Sequence, residues 1–247
     1  MKLFRSRASV LIALSAVLIA AAAGIKIYKS AAPRVPFALR PSPVHVYHSP
    51  ALSLERIALK VFYAVPQDRA AQIYPGWHDL LPAMLDEAAK FHEVQFHGQS
   101  VFSYKIFPEP FILKQPAIFY DTENTNKGNP EALLRITAEI ENRAVDFLKK
   151  DRGDFTAIAV IYEGVGASGT TGSMILSRAF LSDPQYADFA STLFYHEFGH
   201  TMGLPDQYDL ETNQPFSADI MGGGRRRPLK YNYLDAALLA EMNAAAQ

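Results

Sequence analysis

The stretch His196-Glu197-Phe198-Gly199-His200-Thr201-Met202-Gly203-Leu204-Pro205-Asp206 decides the fold expected of this chain. Its two histidines stand four residues apart, with a carboxylate directly after the first. On a helix, positions i and i+4 share a face, so His196 and His200 can aim ring nitrogens at one metal ion. Glu197 lies roughly 100° round the helix from His196, near enough to act on a water beside that ion but not aimed as a ligand. Gly203 can take φ > 0, end the helix and turn the chain back. Pro205 stiffens the return, and Asp206 arrives with a hard oxygen donor. Three protein ligands and an open fourth position describe a catalytic Zn²⁺ site, one ion polarising water and a carbonyl. Without a metal, the same residues make an amphipathic helix that happens to carry two histidines. The spacing of Gly203 and Asp206, and a methionine downstream, favour the site.

His196 to Asp206 resembles the extended zinc motif of the metzincin metallopeptidases, in the form where aspartate replaces the third histidine, as in snapalysin-type peptidases. Gly203 to Asp209 is similar to the corresponding stretch of immune-inhibitor-A-type bacterial peptidases. Asp219-Ile220-Met221-Gly222 resembles the tight methionine turn that lies beneath the metal in metzincins. The likeness is dense over about 190–223 and looser, in element order, from about 55 onward. It implies an α/β zincin sandwich: a mostly parallel twisted sheet with an antiparallel edge strand, an active-site helix and a Met-turn. It also implies a zinc endopeptidase with His196, His200 and Asp206 as ligands, Glu197 as general base and Met221 as a structural floor. With aspartate at 206, the third ligand stays open between it and a later glutamate, Glu211 or Glu241. The spacing of Asp206 suits a local chain reversal and favours it.

The 247 residues are 49% hydrophobic and 20% charged, an ordinary globular composition with enough chain for a sizeable core. A formal net charge of −1 speaks against nucleic acid as a partner, and no basic and aromatic interleaving reopens it. With no cysteine, disulfides, thiolate ligands and cysteine nucleophiles are excluded. Lys2, Arg5 and Arg7 precede an apolar run from Ala8 to Ile25, the layout of an export signal. Residues 1–30 therefore read as a signal peptide or a signal anchor, the latter holding the protein to a membrane through residues 8–25. Either way the rest of the chain is expected outside the cytoplasm, secreted, periplasmic or anchored. Residues 31–54, with five prolines, read as an extended arm, and 55–247 as the catalytic domain, expected to be a monomer.

Within that domain the pattern predicts a strand over Arg56 to Val65 and an amphipathic helix over Trp77 to Val94, with Pro82 in its first turn. A second strand follows over Val101 to Phe107, with a short extension at Ala117 to Tyr120. A long helix is predicted over Glu131 to Lys150, with Leu133, Leu134, Ile136, Ile140, Val145 and Leu148 on its buried stripe. Ala157 to Tyr162 is a continuous apolar run, expected to be a strand buried on both faces. Gly164 to Gly172 reads as a flexible loop, since its glycines match no phosphate-binding fingerprint. It leads to an edge strand, Ser173 to Phe180. By the metzincin resemblance, Met174, Ile175, Leu176 and Ser177 in that strand would pair with extended substrate, a protein or peptide. Asp183 or Asp188 is expected to cap the active-site helix. Tyr208, Tyr231 and Tyr233 are candidate oxyanion donors, and Tyr208 a candidate substrate contact. Arg225, Arg226 and Arg227 read as a solvated loop, or as a pocket wall drawing acidic groups. Tyr231 to Ala246 reads as a closing helix. Two other functions stay open: a zinc hydrolase acting on a non-protein or cell-wall peptide substrate, and a membrane-anchored binding module without activity. Glu197 weighs against the second, since a purely structural site needs no base.

Overall fold

The structure is a computed structural model and describes residues 54–121, 128–149 and 155–239. Strand β1 (Arg56–Val65) is an interior strand of one sheet. It pairs in parallel with β2 (Val101–Ile106), then with the short β3 (Phe111–Ile112), and along its other edge with β4 (Phe155–Tyr162). Beyond β4 lies β6 (Ser173–Ser177), again parallel, and β6 pairs antiparallel with β5 (Ala167–Thr170). The order is β2-β1-β4-β6-β5, with β3 also on β1. Parallel neighbours need long crossovers. Helix α1 (Trp77–Gln95) connects β1 to β2, and α2 (Pro130–Arg143) connects β3 to β4. This is a mixed α/β fold with a mostly parallel sheet and one antiparallel strand.

Side-chain alternation sorts the central strands onto two cores. Leu59, Val61, Tyr63, Ala159 and Ile161 point to one face and pack against α1 and the third long helix, α3 (Ala190–Thr201). Phe62, Ala64, Val160 and Tyr162 point to the other, against Leu133, Ile136 and Ile140 of α2. With both faces covered, β1 and β4 are apolar almost throughout, the continuous run that parallel strands require. Asn129 starts α2 by accepting the Ala132 N–H on its side chain, with Pro130 at the first helical position.

Several expectations change. Met174, Ile175, Leu176 and Ser177 belong to an interior strand, hydrogen-bonded along both sides, because β5 has added itself outside β6. The edge strand is Ala167–Thr170, inside the stretch expected to be a flexible loop. Its Ala-Ser-Gly-Thr sequence carries no strand signal; pairing to β6 and packing on α3 make it one. The continuous apolar run Met174-Ile175-Leu176 was the missed clue, as it has the same doubly buried character as β4. Ala117–Tyr120 is a single helical turn, and the short strand is Phe111–Ile112 instead. Helix α2 stops at Arg143, so Val145 is exposed, as is Leu134 on the outer face of the helix. Pro82 falls inside α1, not in its first turn. Neither aspartate caps α3, whose N-cap is Phe189; Asp183 caps the preceding 3₁₀ turn, Pro184–Tyr186. The closing helix starts at 236, after a 3₁₀ turn at Leu229–Tyr231. The expected signal segment, the proline-rich arm and Glu241 lie outside the described residues. Among the described residues, no helix is long and apolar enough to cross a membrane.

Candidate metal centre

Helix α3 ends in a motif that builds half of the site by itself. Met202 is the C-cap, and Gly203 follows at φ +89, a conformation that a Cβ makes costly. The Leu204 N–H reaches the Gly199 carbonyl and the Gly203 N–H reaches the His200 carbonyl, the paired bonds of a Schellman ending. That reversal sets the Leu204 carbonyl 2.7 Å from His200 Nδ1. It then carries Asp206 back over the helix, where its Oδ1 lies 3.2 Å from His196 Nε2 and 3.3 Å from His200 Nε2. The ring of His196 is fixed from elsewhere: its Nδ1 is 3.0 Å from the Ile220 carbonyl.

A carbonyl can only accept, so both Nδ1 atoms carry hydrogens and donate them. In the neutral rings, each Nε2 therefore presents a lone pair, and both face the same carboxylate oxygen. Asp206 Oδ1 is buried and without a conventional hydrogen-bond partner. Three lone pairs thus converge within 4.8 Å of one another. Such a cluster repels itself unless a cation sits among its members, or the rings take up protons. Two imidazoles and one carboxylate, with the far side open to a cleft, are the donor set of a catalytic zinc. The residues present fit the ion.

The floor of the site comes from the segment 219–222. Asp219 is fully buried; it accepts the Ser217 hydroxyl and the Gly222 N–H on one carboxylate oxygen and the Asp235 N–H on the other. This clamp holds a turn that presents the Ile220 carbonyl to His196 and lays Met221 beneath α3. A Cβ on Gly199 would stand 2.7 Å from Met221 Sδ, so the helix rests directly on the thioether. From the opposite side β5 presses equally close, since a Cβ on Gly169 would meet the Glu197 carbonyl and His200 Cβ, each at 2.6 Å.

The donors open onto a cleft of about 360 Å³ whose walls include Glu197, Ser168, Leu193, Tyr208 and Arg225. Burial pushes the Glu197 carboxyl up from its ordinary range, against the pull of the two histidines. A carboxylate of raised basicity beside a metal site is suited to take a proton from water. Burial also raises Asp206, but the closeness of the two imidazoles, His196 and His200, outweighs it and holds the carboxyl well below the usual range. Tyr208 stacks between the metal donors and the arginine run: its ring centroid is 5.9 Å from that of His196, and the Arg225 guanidinium lies 3.5 Å from its centroid.

His196, Glu197, His200 and Asp206 thus come together, with Tyr208 in the same cleft and Met221 below. Of the alternatives for the third ligand, Glu211 is in a solvent-exposed turn, outside the cluster. Met174 to Ser177 are absent from the cleft wall, and the β5 residues Ala167, Ser168 and Gly169 line it instead. Tyr231 and Tyr233 do not line the cleft either. Sequence reading missed Gly169 and Gly199, whose role is to be small, and the two backbone carbonyls that orient the imidazoles. Only Gly199, between the histidines, offered a signal.

No protein-family model matches this chain, and no curated protein matches it. Among solved structures, archaemetzincin from Methanopyrus kandleri is similar over 76% of this chain and 94% of that one, with 18% identity and a TM-score of 0.40. A likeness of that extent assigns this chain neither a family nor an activity.

Proposed function

We propose that this protein is an exported zinc-dependent endopeptidase of metzincin type. The observation that carries the proposal is the convergence of His196 Nε2, His200 Nε2 and Asp206 Oδ1, beside Glu197, at the bottom of an open cleft. His196, His200 and Asp206 would hold Zn²⁺, with Asp219-Ile220-Met221-Gly222 acting as the methionine turn. Zinc bound there lowers the pKa of a water and polarises a carbonyl. Glu197 takes a proton from the attacking water and delivers it to the leaving amine, a transfer its raised basicity supports. Extended substrate runs along the outer edge of β5, where Ser168 and Gly169 face the cleft. Export is supported by the basic and apolar start of the chain, and a monomer is the simplest state for a one-domain enzyme with its site built from one chain.

The test is zinc content together with hydrolysis of casein and quenched peptides, on the full chain and on Glu197→Gln. One zinc per chain in both, with the variant slowed by about 10²–10⁴-fold, is the expected result. Zinc absent from the parent, or a variant as fast as the parent, would overturn the proposal. Zinc without cleavage of any peptide would move the reaction to a non-protein substrate.

A further inference from the structure

We propose that Arg225 is the anion-reading wall of this cleft, binding a carboxylate of the substrate beside the bond to be cut. The carboxylate is either an acidic side chain or the free C-terminus of the peptide. The inference rests on the peptidase reading and adds its substrate preference.

Arg225 is only 8% exposed, yet it lines the cleft that holds His196, Glu197 and Asp206. It is the sole Lys or Arg in that lining among the described residues. Two of its N–H groups are used, one on the Gly222 carbonyl at 2.9 Å and one on Asn213 Oδ1 at 3.2 Å. Both partners are neutral. Among the described residues, no carboxylate stands within ion-pair distance of this guanidinium. Glu197 and Asp206, the two acids in the cleft, are committed to the metal centre.

A buried cation is ordinarily matched by an anion, because the charge has lost its water. Burial accordingly lowers the pKa of Arg225, and Tyr208 and Asp206 only oppose the shift. The guanidinium is also held in place before any ligand arrives. It stacks on the Tyr208 ring and is pinned on both Nη atoms, which fixes its plane and leaves further in-plane donors. A fixed planar fork is matched by a carboxylate taking two parallel hydrogen bonds, which a lysine cannot give. A structural rivet joining 213 to 222 explains the two pins. It does not explain why a full charge was placed at the cleft wall with no carboxylate in ion-pair contact among the described residues.

The experiment uses the full zinc-loaded chain and quenched peptides with one apolar background. A single glutamate is moved through the positions around the cut, each peptide having a glutamine twin, and each pair is made with free and amidated C-termini. At one position, or with the free C-terminus, the carboxylate form is expected to exceed its neutral twin in kcat/KM by about tenfold or more. Arg225→Gln should bring that ratio to about one, while the exposed neighbour Arg226→Gln leaves it unchanged. Where Arg225→Gln fails to fold, Arg225→Lys serves, since loss of the fork must still reduce the ratio. A second arm reads binding of the labelled acidic peptide and its twin to metal-chelated protein by anisotropy, with the same preference expected and the same loss in the variant. A parent that treats acid and neutral twins alike, or a preference that survives in both Arg225 variants, overturns the inference. If the parent cuts no peptide at all, the peptidase reading fails, and the anisotropy arm alone decides for or against Arg225.

Discussion

The residue that best shows how this chain uses burial is His92, on α1, away from the metal donors. It is fully enclosed: its Nε2 donates to Ser100 Oγ at 2.7 Å, Ser100 donates onward to the Leu54 carbonyl, and the Tyr195 hydroxyl donates to Nδ1 at 2.8 Å. Each polar atom is satisfied with the ring neutral, and Phe96, Phe102 and Phe198 close round it. Burial drives its pKa down to about 3. An unfolded histidine titrates near ~6.5, so below that pH the unfolded chain binds a proton that the folded chain refuses. Stability is therefore unaffected above that value and falls as pH drops towards about 3. The loss is about 1.4 kcal/mol for each pH unit inside the window. Urea midpoints of the parent and of His92→Gln, taken from pH 7 to pH 4.5, check this. The variant is less stable at neutral pH, through lost packing, and the gap is expected to close as the pH falls. A gap that stays constant would show that the imidazole is not held neutral. The same arrangement ties α1 to Tyr195, the residue before the first metal donor, so a plain core contact also sets the position of the site.

At the scale of elements, the site depends on how closely α3 is approached from two sides. Gly199 lies on Met221 and Gly169 lies against the backbone of Glu197. The two contacts differ in what can yield. Met221 is an unbranched thioether that can change rotamer, whereas the Glu197 carbonyl is part of the helix. Gly199→Ala is expected to cost about 1–3 kcal/mol through overpacking, and Gly169→Ala more, because β5 must lift away from α3 and take its contact with His200 along. Thermal melts rank the two, and zinc titration should show weaker binding in both. Equal stability for Gly169→Ala and the parent would mean that β5 does not press on the helix. This contact also shows what the sequence could reveal. His196, His200 and Asp206 are legible because a local rule, a shared helix face at i and i+4 and a left-handed glycine, brings them together. Strands β1 and β4 are legible from their nearly unbroken apolar runs, and helix α1 from its apolar periodicity. β5 is not, since nothing in Ala-Ser-Gly-Thr favours a strand over a loop. It is made by its partners, and with it the edge of the sheet moves from the expected 173–180 to 167–170. The carbonyls of Leu204 and Ile220 are likewise invisible in sequence, as every residue has one.

On the scale of the whole molecule, the metal centre sits at the margin of a core that does not need it. The face shared by α1, α3 and the sheet holds Leu59, Val61, Phe91, Phe194 and Phe198, all fully buried, and the opposite face packs separately round α2. A structural zinc domain lacks such cores and unfolds when the metal leaves. Here chelation should leave a folded, cooperatively melting protein, but a less stable one. His196, His200 and Asp206 gather three lone pairs in the folded state only, so zinc held by them would bind that state and add stability by mass action. Free zinc at 1,000 times its dissociation constant adds about 4 kcal/mol. For a domain of this size that corresponds to roughly 8–16 °C in Tm. Differential scanning fluorimetry with zinc and with a chelator measures the shift, and His200→Ala provides the control, since it removes a donor from the helix end and should abolish the response to zinc. A chelated protein without a cooperative transition would place the metal inside the fold's own stability. Identical melts with and without zinc in the parent would mean that the three donors hold no ion, and the hydrolytic reading would go with it.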